Sequence, residues 1–144
     1  MTLVVVDFNV VFSALISRGK PLRAFELNEV FNKFEYISTQ YMYTELDNHL
    51  DEIMSSSKLS REESSEVLGF IKSCVEVIPF EAFSDKAREA VKISPHLKDA
   101  PYVALALKYD CKILSGDKGL KNRLPEKVLT PSEAVDILLG KNSP

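Results

Sequence analysis

The chain begins with a short run of apolar residues, 3–6, that ends at an acidic residue, Asp7. Short β-branched runs bounded by a polar residue are typical of buried parallel strands. Comparable runs recur along the chain, with helical patterns between them, at residues 36–38, 75–79, 113–115 and 128–129. Strands that alternate with helices imply right-handed crossovers, which cover both faces of a parallel sheet. The sequence therefore predicts an α/β fold in which helices flank both faces of a parallel sheet of about five short strands.

Local signals place the helices between these strands. Ser60 with Glu63, and Thr130 with Glu133, match the capping box that starts a helix. Asp99 is a good N-cap for the apolar helix that follows it, and Ser84 is expected to cap another. The predicted helices span residues 10–17, about 21–31, 40–55, 60–73, 84–93, 100–109 and 131–139.

The length of 144 residues suits a single domain, which we expect over residues 1–140, followed by a frayed tail over 141–144. No apolar stretch approaches the roughly 20 residues that span a bilayer, and the amino terminus lacks a signal-peptide pattern, so we expect a cytoplasmic protein. Cys74 and Cys111 have no metal-ligand spacing and are expected to be buried, reduced thiols.

Four acidic residues occupy positions that indicate a site. Asp7 and Asp117 follow apolar strands, Asp99 opens an apolar helix, and Glu45 lies on the inner face of another helix. Residues just past the carboxyl ends of parallel strands line the crevice where ligands bind. Carboxylates gathered there repel each other unless a cation joins them, and Mg²⁺ or Mn²⁺ favours such oxygen sites. The pattern therefore predicts a metal-dependent nuclease, and Asn9 adds an amide close to Asp7.

Each of three aspartates also has a purely structural interpretation. Asp7 and Asp99 would each suit the N-cap of the helix that follows, where a carboxylate accepts backbone hydrogen bonds. Asp117 lies between two glycines and would equally suit a turn. One shared site explains all of them better than three separate structural roles.

Glu45 borders the apolar stripe of its predicted helix, beside Met42 and Leu46. A carboxylate in that position needs a cation or hydrogen-bond donors to offset its desolvation. A metal would serve, and so would His49, one turn further along the same face. Both interpretations of Glu45 remain open at this point.

The charge distribution bears on the substrate. The net charge of −3 argues against a general nucleic-acid binder. Basic residues nevertheless cluster in sequence around Asp99 and Asp117, namely Lys98, Lys118, Lys121 and Arg123. An acidic pocket with a basic rim suits a polyanion that is cut with the help of a metal, and Lys118 and Arg123 are predicted to contact its phosphates. Solvated lysines at helix ends are the alternative.

Four segments together resemble the PIN-domain ribonucleases, in particular the VapC-like bacterial and archaeal branch that includes the toxins of toxin–antitoxin pairs. They are residues 6–15 around Asp7, 43–46 around Glu45, 98–106 around Asp99 and 114–120 around Asp117. The resemblance covers almost the whole chain and implies a parallel sheet flanked by helices, with these four acids as the catalytic and metal-binding quartet. It also implies supporting roles for Asn9 and Ser115. The chain lacks the cysteines of a zinc ribbon.

The expected function is cleavage of single-stranded RNA by a water that Mg²⁺ or Mn²⁺ activates. Asp7, Asp99 and Asp117 are predicted to bind the metal directly, and Glu45 either to bind it or to act as a base. An antitoxin protein and a second copy of the chain are the expected partners. The alternative is a non-catalytic RNA-binding or scaffold protein with a structural metal. Receiver domains fit poorly, because Asp7 is followed by Phe8 and Asn9 and not by a second acid, and because the middle strand ends in Pro79. Phosphatases fit poorly because Asn9 stands where they need a second aspartate.

Overall fold

The computed structural model describes residues 1–141, and its five strands form one parallel sheet. The strands are β1 (Thr2–Val6), β2 (Phe34–Thr39), β3 (Val75–Ile78), β4 (Lys112–Leu114) and β5 (Val128–Leu129). Their order across the sheet is β3-β2-β1-β4-β5. The predicted α/β fold with a five-stranded parallel sheet is therefore confirmed.

The helices lie on both faces of this sheet. They are α1 (Phe8–Ile16), α2 (Gly19–Phe31), α3 (Tyr41–Asn48), α4 (Leu50–Ser56), α5 (Arg61–Cys74), α6 (Ala87–Ile93), α7 (Ala100–Tyr109), α8 (Lys118–Arg123) and α9 (Pro131–Leu138). Crossovers between parallel strands are right-handed, so connections that run in opposite directions across the sheet place their helices on opposite faces. Accordingly α2 packs with α1, α5 and α9, whereas α7 packs with α6 and against β1, β2 and β4.

The sequence-based helix assignments differ from the structure at three places, one of which is α8, a helix that was not predicted. The helix predicted over residues 40–55 is divided at His49, where the backbone leaves helical geometry with φ −108° and ψ 8°. Ser84 does not cap α6, because a 3₁₀ turn, Ser84–Lys86, comes first and Lys86 occupies the N-cap position. The side chain of Phe83, just before that turn, is buried, and the Phe83 backbone carbonyl accepts a hydrogen bond from the Lys86 N–H at 3.0 Å. Both predicted capping boxes are present.

The core lies between the sheet and its helices, and α7 is its most buried helix. All residues from Tyr102 to Ala106 are at most 1% exposed. Because this helix is packed in the interior, its amino-terminal end has a fixed position at the carboxyl edge of the sheet. None of the helices within residues 1–141 is both long and apolar enough to span a membrane.

The carboxyl-terminal helix ends in a Schellman motif. Gly140 has a positive φ of 76°, its N–H donates to the Ile137 carbonyl, and the Lys141 N–H donates to the Asp136 carbonyl. The rest of the predicted tail, residues 142–144, lies outside the described residues. Cys74 and Cys111 are free and half-buried rather than fully buried, because both lie near the rim of the sheet.

Candidate active site

The strand order reverses between β1 and β4, and a crevice opens at their carboxyl ends. The chain places β2 and β3 on one side of β1, and β4 and β5 on the other. In open α/β sheets such a reversal point is where ligands bind. Asp7 directly follows β1, and its N–H donates to the Leu114 carbonyl of β4 at 3.1 Å. Asp117 lies in the loop that follows β4.

A pocket of about 210 Å³ occupies this crevice. Its walls come from the amino-terminal ends of α1, α7 and α8 and from the break between α3 and α4. All four carboxylates named from the sequence line it, and so does Asn9. The full lining is Asp7, Phe8, Asn9, Phe12, Glu45, His49, Glu52, Lys98, Asp99, Tyr102 and Asp117.

Ser115 and Asn9 hold the two loops of the pocket floor together. The buried Ser115 hydroxyl donates to Asp7 Oδ2 at 2.7 Å and accepts from the Asp117 N–H at 3.1 Å. Asn9 Oδ1 accepts from the Gly116 N–H at 3.1 Å. These bonds join the loop after β1 to the loop after β4, so the position of Asp7 relative to Asp117 is set by hydrogen bonds.

Asp7 is a buried carboxyl group with an altered affinity for protons. Only 6% of it is exposed, and it occupies the N-cap position of α1, where the Asn9 backbone N–H lowers its pKa but makes no capping hydrogen bond of regular geometry. Burial raises its pKa from 3.8 to about 7, and the charges of Asp99 and Glu45 act in the same direction. The Ser115 hydroxyl opposes this by stabilising the carboxylate. Asp7 therefore holds a negative charge in the pocket only at a free-energy cost.

The side chain of Asp99 does not cap the helix that follows it. It occupies the N-cap position of α7 but makes no side-chain hydrogen bond to that helix. The residue is 3% exposed, and its Oδ2 is one of two buried side-chain oxygens in residues 1–141 without a hydrogen-bond partner, the other being Thr39 Oγ1. Burial and the charge of Asp117 raise the pKa of Asp99. A buried oxygen without a partner is costly, which suits an atom that binds a cation.

Glu45 is held across the crevice by a residue that sequence reasoning missed. The Tyr102 hydroxyl of α7 donates to Glu45 Oε1 of α3 at 2.5 Å, which joins helices from opposite faces of the sheet. Burial raises the pKa of Glu45, and the Tyr102 hydrogen bond opposes that rise. A signal for Tyr102 existed in its position three residues after Asp99, one helical turn along α7. The hydrogen-bond partner of Glu45 is thus Tyr102 and not His49.

Asp117 combines a structural contact with a place in the pocket. Its Oδ1 accepts from the Gly119 N–H at 2.8 Å and from the Leu120 N–H at 3.2 Å, so this residue caps α8. Asp117 thus has a structural role, but as the N-cap of a helix and not as the turn residue that the sequence suggested. The pocket lining includes Asp117 as well, and neither capping bond uses Oδ2.

The basic residues named from the sequence do not form a common rim. Lys118 is exposed on α8, and neither it nor Arg123 lines the pocket. Arg123 Nε donates to the Ile93 carbonyl at 3.1 Å, and Lys121 Nζ donates to the Val128 carbonyl at 2.8 Å. Lys98 is the basic residue that lines the pocket. Long-range contacts with α6 and β5 decide these roles, and local sequence carries no signal for them.

The donor set of the pocket fits a hydrated divalent ion. Its acidic groups offer carboxylate oxygens, which Mg²⁺ and Mn²⁺ prefer, and Asp99 Oδ2 has no other partner. Within residues 1–141 no three His, Cys, Asp or Glu side chains are grouped closely enough to hold an ion by themselves. Magnesium commonly keeps several waters and binds through one or two carboxylates. The residues present therefore match an ion that keeps part of its water shell.

Comparison with known proteins agrees with the fold. The model of the PIN-domain family matches residues 5–124, and the chain therefore belongs to the PIN-domain family. The resemblance to the PIN-domain family seen in the sequence is confirmed. Among solved structures, the chain is similar to one described as VapBC2 from Rickettsia felis bound to a DNA fragment from their promoter. That match has a TM-score of 0.63 and 13% identity, and it covers 90% of this chain and 98% of the other. No curated protein matches the sequence.

Proposed function

We propose that the chain is a metal-dependent endoribonuclease that hydrolyses single-stranded RNA. One observation carries this proposal: four carboxylates meet in a pocket at the reversal point of a parallel sheet, and one of them has a buried oxygen without a partner. A carboxyl cluster of this kind destabilises the protein unless it serves a ligand. Membership of the PIN-domain family supports the same conclusion.

Each acidic residue has a distinct role in the proposed reaction. Asp7 and Asp99 would hold Mg²⁺ or Mn²⁺, and Asp117 would contribute the oxygen that its capping bonds leave unused, through the water shell of the ion. When bound, the ion would acidify a water molecule and offset charge at the scissile phosphate. Glu45, oriented by the Tyr102 hydroxyl, either joins the ligands or accepts a proton from the attacking water.

The remaining polar residues position the carboxylates or bind the phosphates of the substrate. Ser115 keeps Asp7 ionisable by donating to its Oδ2, and Asn9 fixes the neighbouring loop. Lys98 at the pocket and the exposed Lys118 attract the phosphates of the strand, whereas Arg123 is engaged with the Ile93 carbonyl and has no part in the proposed site. An unpaired strand suits a pocket of about 210 Å³, which is too small for a duplex.

The similarity in fold to a VapBC2 complex supports the further proposal that the protein is the toxin of a toxin–antitoxin pair. The solved structure of similar fold is a VapBC2 complex, so an antitoxin is the partner that we propose, and a homodimer is a further expectation. Induced expression should stop bacterial growth, and co-expression of a small DNA-binding protein from the adjacent gene should restore it. Growth unaffected by the active protein would instead favour a processing or decay enzyme.

One observation favours a second candidate, a non-catalytic scaffold with a structural ion. The acidic side chains of residues 1–141 do not form a complete set of metal ligands in the absence of water. In that case the ion would stabilise the protein, and RNA would bind without being cut. The two candidates differ in a single measurable property, which is hydrolysis.

The decisive experiment incubates the purified protein with a mixed pool of single-stranded RNA. We expect cleavage with Mg²⁺ or Mn²⁺ and none after EDTA is added. A mixed pool is needed because a strict sequence requirement would hide activity on one RNA. Asp110→Asn is a suitable control, since Asp110 is exposed at the opposite edge of the sheet and Asn tolerates its left-handed φ of 49°. Binding without cleavage under all conditions would favour the scaffold.

A further inference from the structure

One wall of the pocket is aromatic, which an ion site alone does not require. Phe8 and Phe12 lie four residues apart on α1 and therefore on the same face of that helix. The His49 ring stacks on Phe8 with centroids 5.5 Å apart and planes inclined by 28°. Phe12 meets the same imidazole edge-on at 6.2 Å. All three residues line the pocket that also holds the four carboxylates.

The His49 ring is fixed in position and still open to solvent. Its stack on Phe8, itself only 7% exposed, ties the imidazole to the core. Its side chain nevertheless remains 46% exposed, with Glu52 Oε2 at 3.9 Å as its charged neighbour. His49 stands where the backbone breaks between α3 and α4, so it projects from a rigid corner. A flat ring held in this way offers a surface on which another flat ring can stack.

We propose that His49, supported by Phe8 and Phe12, is a stacking platform for one unpaired nucleobase of the substrate. This proposal rests on the proposed function, because it deepens the description of the same pocket. Unstacked bases of single-stranded RNA pack on aromatic side chains, including histidine, and such stacking tolerates any base because each has a π-face. The platform holds the base while the adjacent phosphate lies against the carboxylates.

The volume of the pocket limits how much of an RNA strand can bind inside it. Pockets that enclose drug-sized ligands span roughly 300–1,000 Å³. The volume of about 210 Å³ is smaller than that range, so the pocket accommodates only a short part of an RNA strand. Other nucleotides would lie outside and contact the surface. His49 is accordingly a positioning residue for the strand, because the stacked base sets which phosphate faces the acids.

The test measures binding without cleavage. Labelled single-stranded oligoribonucleotides are titrated by fluorescence anisotropy with Ca²⁺ in place of Mg²⁺ or Mn²⁺, so that the carboxylates are neutralised, comparing the intact strand with strands that lack one base at a time. At one position, loss of the base should weaken binding to the wild-type protein by roughly 5- to 150-fold, the range expected for one stacked base. The His49→Ala variant should bind the intact strand and the strand that lacks the base at that position with equal affinity. The His49→Phe variant should retain the difference in affinity, because it keeps a flat ring.

Tyr109→Ala is the matched control, since Tyr109 is a 40% exposed aromatic residue just before β4, at the opposite edge of the sheet. It should bind like the wild type. Equal binding of intact and abasic strands by the wild type, or no binding at all, would overturn the platform, and so would a His49→Ala protein that keeps the difference. Cleavage with Mg²⁺ is measured separately. A platform without cleavage would refute the nuclease alone, and cleavage without the base effect would refute the platform alone.

Discussion

Asp99 lies at the N-cap of α7, yet its side chain makes none of the bonds of a cap. Asn replaces Asp well at helix N-termini, so Asp99→Asn should leave folding intact. Without metal the variant should be as stable as the wild type or more so, because one buried repulsive charge has gone. Cleavage should fall by roughly 10²-fold or more, as expected for loss of a key electrostatic group. Initial rates of RNA cleavage and thermal melting in EDTA check both parts. A folded and fully active variant would remove Asp99 from the site.

The raised pKa of Asp7 predicts how the stability of the protein depends on pH. Its pKa in the folded protein is raised from 3.8 to about 7, and burial raises the pKa of Asp99 and Glu45 as well. A raised folded pKa stabilises the protein below the ordinary pKa, and this contribution disappears as pH rises through the folded value. The metal-free protein should therefore lose stability between roughly pH 4 and pH 8. Mg²⁺ should raise the melting temperature more at about pH 7.5 than at about pH 5.

Two variants separate this effect from general pH sensitivity. Asp7→Asn cannot titrate, and it should flatten both the pH dependence and the response to Mg²⁺. Asp110→Asn removes an exposed charge at the opposite edge of the sheet and should respond as the wild type does. If Mg²⁺ raises the wild-type melting temperature equally at both pH values, the carboxylates do not act on a common ion.

At the scale of elements, the bond from Tyr102 to Glu45 joins α7 to α3 across the crevice. Tyr102→Phe should raise the pKa of Glu45, because the hydrogen bond that stabilises its carboxylate is lost. The acid limb of the pH–rate profile should move to higher pH, and kcat should fall by roughly 10-fold. Stability should decrease by only about 1 kcal/mol, because Glu45 is half-buried and water can replace the phenol.

Tyr36→Phe provides the comparison for this change. Tyr36 is also a buried tyrosine, and its hydroxyl donates a single hydrogen bond, to the Ala24 carbonyl at 2.7 Å. It lies on β2 away from the pocket lining, so the variant should lose a similar amount of stability while its pH–rate profile stays unchanged. A shifted profile in both variants would mean that Tyr102 acts only through folding.

At the scale of the whole molecule, α7 connects the site to the core. Leu105 is fully buried in this helix, and Leu105→Ala should cost about 2–5 kcal/mol through lost burial and the cavity left behind. Leu97→Ala, at a residue that is 75% exposed, should change stability by less than about 0.5 kcal/mol. Urea unfolding measures both. A Leu105→Ala protein as stable as the wild type would mean that α7 is not the packed centre of the fold.

Sequence reasoning located the acidic residues because their signals are local. Asp7 and Asp117 stand beside apolar strands, and the polarity of the chain alone puts such residues at the carboxyl edge of a parallel sheet. Capping boxes at Ser60 and Thr130 are equally local, since each joins residues three positions apart. These features need no knowledge of which strands are neighbours.

The arrangement of the site depended on contacts between distant residues. The pairing of β1 with β4 brings Ser115 to Asp7, residues that are 108 positions apart, and no local pattern encodes such pairings. The same holds for the bond from Tyr102 to Glu45 and for Arg123, which contacts the Ile93 carbonyl. His49 leaves the helix and stacks on Phe8. The sequence by itself thus determined which residue types reach the carboxyl edge, because strand alternation and capping are local. Only the tertiary structure decided which of these residues contact each other, because the free energy of a contact between residues distant in sequence depends on how the surrounding elements pack.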